Sequence, residues 1–69
     1  MTIGQRAAQL IEERAAENGT FLYDESEKLQ ICDDTRLRWK RGTTNPSRYT
    51  VAEMAKQGYD THYILTGER

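Results

Sequence analysis

Glycines at positions 19, 42, 58 and 67 and a single proline at 46 divide this chain into segments, and each segment must then be read for its own hydrophobic period. Between Thr2 and Asn18 the apolar residues Ile3, Ala7, Leu10 and Ile11 recur at helical spacing, with Arg6, Glu12, Glu13 and Glu17 elsewhere around the wheel. This pattern predicts a first helix capped by Thr2 and stopped at Asn18-Gly19. The 69 residues suit one domain, residues 1–69. At that length folding buries only about 60% of the surface the unfolded chain exposes, so the core must be small.

The second half is also helical in pattern. Asp33 or Cys32 caps a segment that runs to Gly42, and Asp34 sits in its first turn, where a negative charge meets the positive end of the helix dipole. Cys32, Thr35 or Arg36, and Trp39 share one face, which aims Trp39 into the core; Asp34, Leu37, Arg38 and Arg41 share the other. A further helix is expected from Ser47 to Gln57, with Val51, Met54, Ala55 and Gly58 spaced three, four and seven apart. A short last helix from Asp60 to Gly67 is expected to bury Ile64 and Leu65. Residues 20–32 admit two readings. One is a helix; the other is a hairpin, with Phe21 and Tyr23 alternating on one side and Leu29 and Ile31 on the other of a Glu25-Ser26 turn. That turn lacks a Gly or Asn to supply positive φ, which favours the helix.

Net charge is −1, but the charges are segregated. From Asp24 to Asp34 five acids (Asp24, Glu25, Glu27, Asp33, Asp34) face one Lys28, whereas Thr35 to Ala52 holds Arg36, Arg38, Lys40, Arg41 and Arg48 and no acid. Such a chain can present a positive face despite its total. Hydrophobic residues at 36% and charged residues at 30% make a globular composition. No apolar run approaches the roughly 18 residues of a membrane span, and Met1 to Arg6 lacks the build of a secretory signal. A cytoplasmic protein without membrane contact is expected. One cysteine, Cys32, and one histidine, His62, offer no internal disulfide and no zinc site. There is no Cys/His pairing, phosphate-cradling Gly loop or metal cluster, so neither an enzyme nor a cofactor is expected.

The order Trp39-Lys40-Arg41-Gly42, Pro46, a short apolar-periodic segment, and Gly58-Tyr59 through Leu65-Thr66-Gly67 resembles the second half of a phage repressor or Cro-like helix-turn-helix domain of the xenobiotic-response-element type. In such domains an aromatic or apolar residue ends the DNA-reading helix, a Gly stops it, a Pro-containing loop follows, and two more helices close the core. The resemblance covers residues 33–67 well and 2–19 loosely. Over 20–32 it is degenerate: Ser26, Leu29 and Ile31 fit the family's positions, while Glu25 and Gln30 depart from them. It implies a compact all-α domain of five helices, acting as a homodimeric transcription regulator on a double-stranded DNA operator.

Reading sequence in the major groove needs a helix whose outer polar side chains match base edges, and residues 33–41 are expected to supply it. Arg38 can donate two hydrogen bonds to a guanine, and Leu37 can touch a thymine methyl. The resemblance also places Asp33 and Asp34 near bases, where a carboxylate can accept from a cytosine amino group. Lys40, Arg41, Arg48 and the Thr43-Thr44-Asn45 loop suit phosphate oxygens, which fix register without reading sequence. Tyr59, Tyr63 and Leu65 admit two readings, as plain core residues or, since by resemblance the last helix and its tail contribute to a dimer contact, as part of that contact. The competing expectation is a protein-binding module of antirepressor or antitoxin type, whose surface, acidified by Asp33 and Asp34, docks a protein partner.

Overall fold

The computed structural model describes all 69 residues as five helices and no strand: α1 (Ile3–Asn18), α2 (Leu22–Lys28), α3 (Asp33–Arg41), α4 (Arg48–Lys56) and α5 (Thr61–Thr66). The hairpin reading of residues 20–32 is replaced by α2 and a turn. Thr2 does cap α1, and Gln5 completes the cap reciprocally: the Thr2 hydroxyl accepts from the Gln5 amide at 3.0 Å while the Gln5 side chain accepts from the Thr2 amide at 2.9 Å. Neither Cys32 nor Asp33 caps α3 through its side chain; Cys32 holds the cap position in extended conformation and Asp33 is the first helical residue.

α1 is the spine, packing against α2, α3 and α5, while α4 lies against α5. The core joins Ala7, Ala8, Leu10 and Ile11 of α1 to Leu29, Trp39, Met54, Tyr59, Tyr63 and Ile64, with Ile3 and Ile31 packed at its edge. Trp39, Ile11, Met54 and Ile64 are completely enclosed apolar side chains. Several expectations for individual positions change. Cys32 is exposed, because it precedes the helix whose face it was expected to share with Trp39. Arg36 takes the buried place beside Trp39. Ala55 is exposed, so α4 contributes Met54 alone to the deep interior. Leu65 is 52% exposed, and Tyr63 is buried in its stead. A helix of only six residues, Thr61–Thr66, can turn little more than one stripe inward.

Ten core residues are few, and polar side chains of α1 tie down the short helices. Arg6 Nε donates to the Ile64 carbonyl at 2.8 Å, and Arg14 Nη1 donates to the Gln57 carbonyl, just past α4, at 2.7 Å. Both guanidiniums thereby satisfy carbonyls at the ends of helices, where positive charge is favoured. Arg14 also lies over the Tyr59 ring, 3.6 Å from its centroid.

Gly4 sets how close α1 and α3 can come. Its amide donates to Asn45 Oδ1 at 2.9 Å. A Cβ at this position would collide with the Thr44 carbonyl oxygen and sit 3.2 Å from the Trp39 Cα. Alanine in place of Gly4 would gain about 1 kcal/mol of helix propensity, against about 1–3 kcal/mol of overpacking. Gly4→Ala should therefore lower stability by up to about 2 kcal/mol in urea denaturation; a variant more stable than the parent chain would show that the loop is not held so tightly against α1.

The turn between α2 and α3 holds Gln30 at φ 60°, the one non-glycine with positive φ. Left-handed backbone costs a residue with a Cβ about 1–2 kcal/mol, more than the 0.5–1 kcal/mol of extra chain entropy that a glycine loses on folding. Since the Gln30 side chain is exposed, Gln30→Gly should stabilise the fold by about 0.5–1 kcal/mol, read as a raised melting temperature. A lowered one would mean that the Gln30 side chain contributes more than its backbone strain removes.

Candidate nucleic-acid interface

The outer face of α3 carries Asp34, Arg38 and Arg41, all exposed, with Leu37 partly covered between them. The helix is terminated by Gly42 in left-handed conformation at φ 82°, and Thr43 adds to the stop by donating its hydroxyl to the Arg38 carbonyl at 3.1 Å. The chain then passes through Thr44, Asn45 and Pro46 to Ser47, whose side chain accepts from the Thr50 amide and caps α4. Arg48 and Tyr49 project from the first turn of α4, the Arg48 guanidinium 5.1 Å from the Tyr49 ring centroid.

The cations differ in how firmly they are held. Arg38 Nη2 pairs with Asp34 Oδ2 at 3.1 Å across one turn, both side chains more than half exposed. Lys40 Nζ reaches Glu12 Oε1 of α1 at 2.8 Å. Arg41 and Arg48 have no carboxylate partner. Exposed pairs of this kind are worth only about 0–1 kcal/mol and exchange readily for another anion. Four exposed cations therefore remain available on α3 and the first turn of α4, two of them paired, with Asp34 and Glu12.

Arg36 is not among them. It is 3% exposed, with Nε donating to Asp33 Oδ1 at 2.8 Å and Nη1 reaching Glu12 Oε1 at 3.4 Å. Asp33 also accepts from the Ser26 hydroxyl at 3.4 Å. This cluster ties α3 to α1 and α2, and it occupies the carboxylate of Asp33, which stays partly exposed, with a partner inside the fold. The Arg36 guanidinium holds the Asp33 carboxyl below its ordinary range, against the opposing effect of burial. Glu25, enclosed at 1% exposure, is likewise lowered, chiefly by the Lys28 ammonium at 2.9 Å and further by the Thr20 hydroxyl, with burial opposing.

The loop residues have structural work as well. Asn45 caps the start of α1 through its contact with Gly4, and Thr44 packs its carbonyl there. Thr43, Thr44 and Asn45 are nonetheless exposed, as are Lys40 and Arg48. Tyr59 and Tyr63, read from sequence as core or as a dimer contact, are core residues at 7% and 8% exposure. Burial pushes the Tyr59 hydroxyl up, and the Tyr63 hydroxyl donates to Gln9 Oε1. Of that trio only Leu65 is open. Sequence reasoning missed Tyr49, 73% exposed beside Arg48, and Glu12, whose single oxygen meets both Arg36 and Lys40. Adjacency to Arg48 was the available signal for Tyr49; nothing in the sequence marked Glu12 among the three glutamates of α1.

No set of three or more His, Cys, Asp and Glu side chains is placed to hold a metal ion, and no helix is long and apolar enough to cross a membrane. No family model, curated protein or solved structure matches the chain.

The two lowered carboxyls, Asp33 and Glu25, make the stability of the fold depend on pH. A carboxylate whose folded pKa is depressed contributes stability that is complete above its unfolded pKa, roughly 4, and is lost as pH falls through the folded value. The melting temperature should be nearly level from neutral pH down to about 5 and then drop steeply toward pH 3. Glu25→Gln should start lower at neutral pH and drop less steeply on acidification, measured by circular dichroism. Parallel curves for variant and parent chain would remove Glu25 as a source of the acid sensitivity.

Proposed function

We propose that this chain binds duplex DNA as a transcription regulator of repressor or Cro type, with α3 as the reading helix. The observation that carries the proposal is the exposed side of α3 and the segment that follows it, where Arg38, Lys40, Arg41 and Arg48 are all exposed and Asp34 is the more exposed of the two acids of α3. Two short helices, α2 and α3, joined by the turn Leu29–Cys32, support it. That is the connection length at which a helix-turn-helix unit lays its second helix in the major groove. The nine residues of α3 make a rod roughly 13 Å long, enough to lie along several base pairs.

In this reading Arg38 and Leu37 face base edges, and Lys40, Arg41, Arg48 and the hydroxyls of Thr43 and Thr44 take phosphate oxygens. Lys40 exchanges Glu12 for a phosphate, a trade between two anions. A homodimer seated on half-sites about 34 Å apart would act by operator occupancy, with Leu65 as the exposed apolar residue on α5. The protein would work in the cytoplasm, where its operator lies.

A second reading has its own observation. Phe21 and Tyr23 are 70% and 53% exposed and stack on each other at 5.7 Å, beside Asp24 and Glu27, which have no cation partner. Exposed aromatics rimmed by charge suit a protein contact, as an antirepressor or antitoxin-like module would use.

Salt dependence separates the two. Binding through phosphates weakens with salt at a log-log slope near −0.9 per phosphate contacted, and a protein partner need not follow this rule. Arg41→Ala should weaken binding to operator and random duplex alike and flatten the slope by about one unit, whereas Arg38→Ala should lose about 1–3 kcal/mol on the preferred operator and little on random duplex. Fluorescence anisotropy titrations at several salt concentrations read both quantities. Equal losses on both duplexes for Arg38→Ala would reduce it to a phosphate contact, and no duplex binding at low salt would move the assignment to the protein-binding module.

A further inference from the structure

We propose that Asp34 and Arg38 form a single reading unit, selective for a guanine that has a cytosine amino group one or two base pairs away. The proposal rests on the DNA-binding reading above and names the target of its reading helix.

Asp34 is the second residue of α3 and Arg38 lies one turn on, with Arg38 Nη2 and Asp34 Oδ2 3.1 Å apart. Long arginine side chains are otherwise free at four torsions. The carboxylate draws this guanidinium toward the N-terminal end of α3, the end at which a reading helix meets the bases. A guanidinium has five N–H donors, and the pair engages its Nη2 edge, so donors remain for guanine O6 and N7. The other carboxylate oxygen, Asp34 Oδ1, accepts nothing within the chain. It can take the N4 amino proton of a cytosine, the donor that carboxylates read in the major groove. Residues one helical turn apart have Cβ atoms about 5–6 Å from each other, and successive base pairs rise about 3.4 Å, so the two contacts fall on neighbouring base pairs.

Asp34 also works by repulsion. Asp33 is engaged by Arg36 and Ser26, so its charge is already answered within the fold, and Asp34 is the more exposed acid of α3, its side chain 65% open against 37% for Asp33. The Asp34 charge opposes every phosphate, so it lowers affinity for all sequences and regains the loss only where a cytosine amino group meets it. Discrimination of this kind depends as much on the wrong partner being rejected as on the right one being held.

The test uses the chain itself, with Asp34→Ala and Arg38→Ala, and selects bound duplexes from a randomised library. Alanine is a better helix former than aspartate, and circular dichroism of each variant checks that α3 remains. The parent chain should enrich a guanine with a neighbouring cytosine, and changing that cytosine to thymine should cost it about tenfold or more in affinity. Asp34→Ala should keep the guanine, become indifferent to the cytosine, and bind random duplex several-fold more tightly; a merely structural Asp34 would move none of the base preferences. Arg38→Ala should lose the guanine. The pairing is overturned if Asp34→Ala enriches the same motif with the same cytosine penalty, or if it tightens binding to every duplex by one common factor. A parent chain with no salt-dependent duplex binding would instead remove the DNA-binding reading, and this unit with it.

Discussion

Arg36 is a charge taken almost wholly out of water, and the arrangement of the first three helices turns on its being answered. Moving a guanidinium from water into a protein interior costs several kcal/mol even after relaxation. Here Asp33, on the same helix, and Glu12, from α1, return that cost as charge-assisted hydrogen bonds. Ser26 of α2 holds Asp33 in turn. Shifting α2 or α3 by even one residue along α1 would separate these partners and leave a buried cation unanswered, a loss of about 3–5 kcal/mol. In a chain whose core is ten residues, that is a large share of the stability available. Apolar packing around Trp39 makes the helices adhere; the Arg36 cluster fixes the register in which they do so.

The same division of labour runs through the molecule. α4 and α5 turn few side chains into the core, and α1 uses long polar side chains to hold their ends. Arg6 does this for α5 and Arg14 for α4. Glycine at position 4 lets the loop after α3 lie directly on the start of α1, so the segment carrying Thr43 to Asn45 is part of the packed structure. The loop within the proposed interface is thus held against α1.

What the sequence revealed, and what it hid, follows from the range of the forces involved. Helix stops at Gly19, Gly42 and Gly67, the Thr2 cap and the aim of Trp39 are decided within a turn or two, and the spacing of residues showed them. The grouping of Asp34, Leu37, Arg38 and Arg41 on one face of α3 was legible for the same reason. The engagement of Asp33 by Arg36 was not, because it depends on Arg36 being buried against Glu12, 24 positions earlier. Arg36 and Thr35 competed for one place on the helical wheel, and composition favoured neither as a core residue. Glu25 sits where the family it resembles places an apolar residue. It is tolerated there because Thr20 and Lys28 meet its carboxylate, a local answer to a tertiary demand. Tyr59 and Tyr63 were visible as aromatics but not as enclosed ones, since Arg14 and Gln9 of α1 supply their cover.

Glu12 has an unusual position in this scheme, for one of its oxygens serves a buried cation and an exposed one together. Those two claims compete. An anion that drew Lys40 away would leave that oxygen to Arg36 alone. Occupancy at the outer face and rigidity in the interior are then linked quantities, and by reciprocity a change that stiffens the α1–α3 contact also alters how readily Lys40 is given up. Surface and core thus meet at one shared oxygen atom.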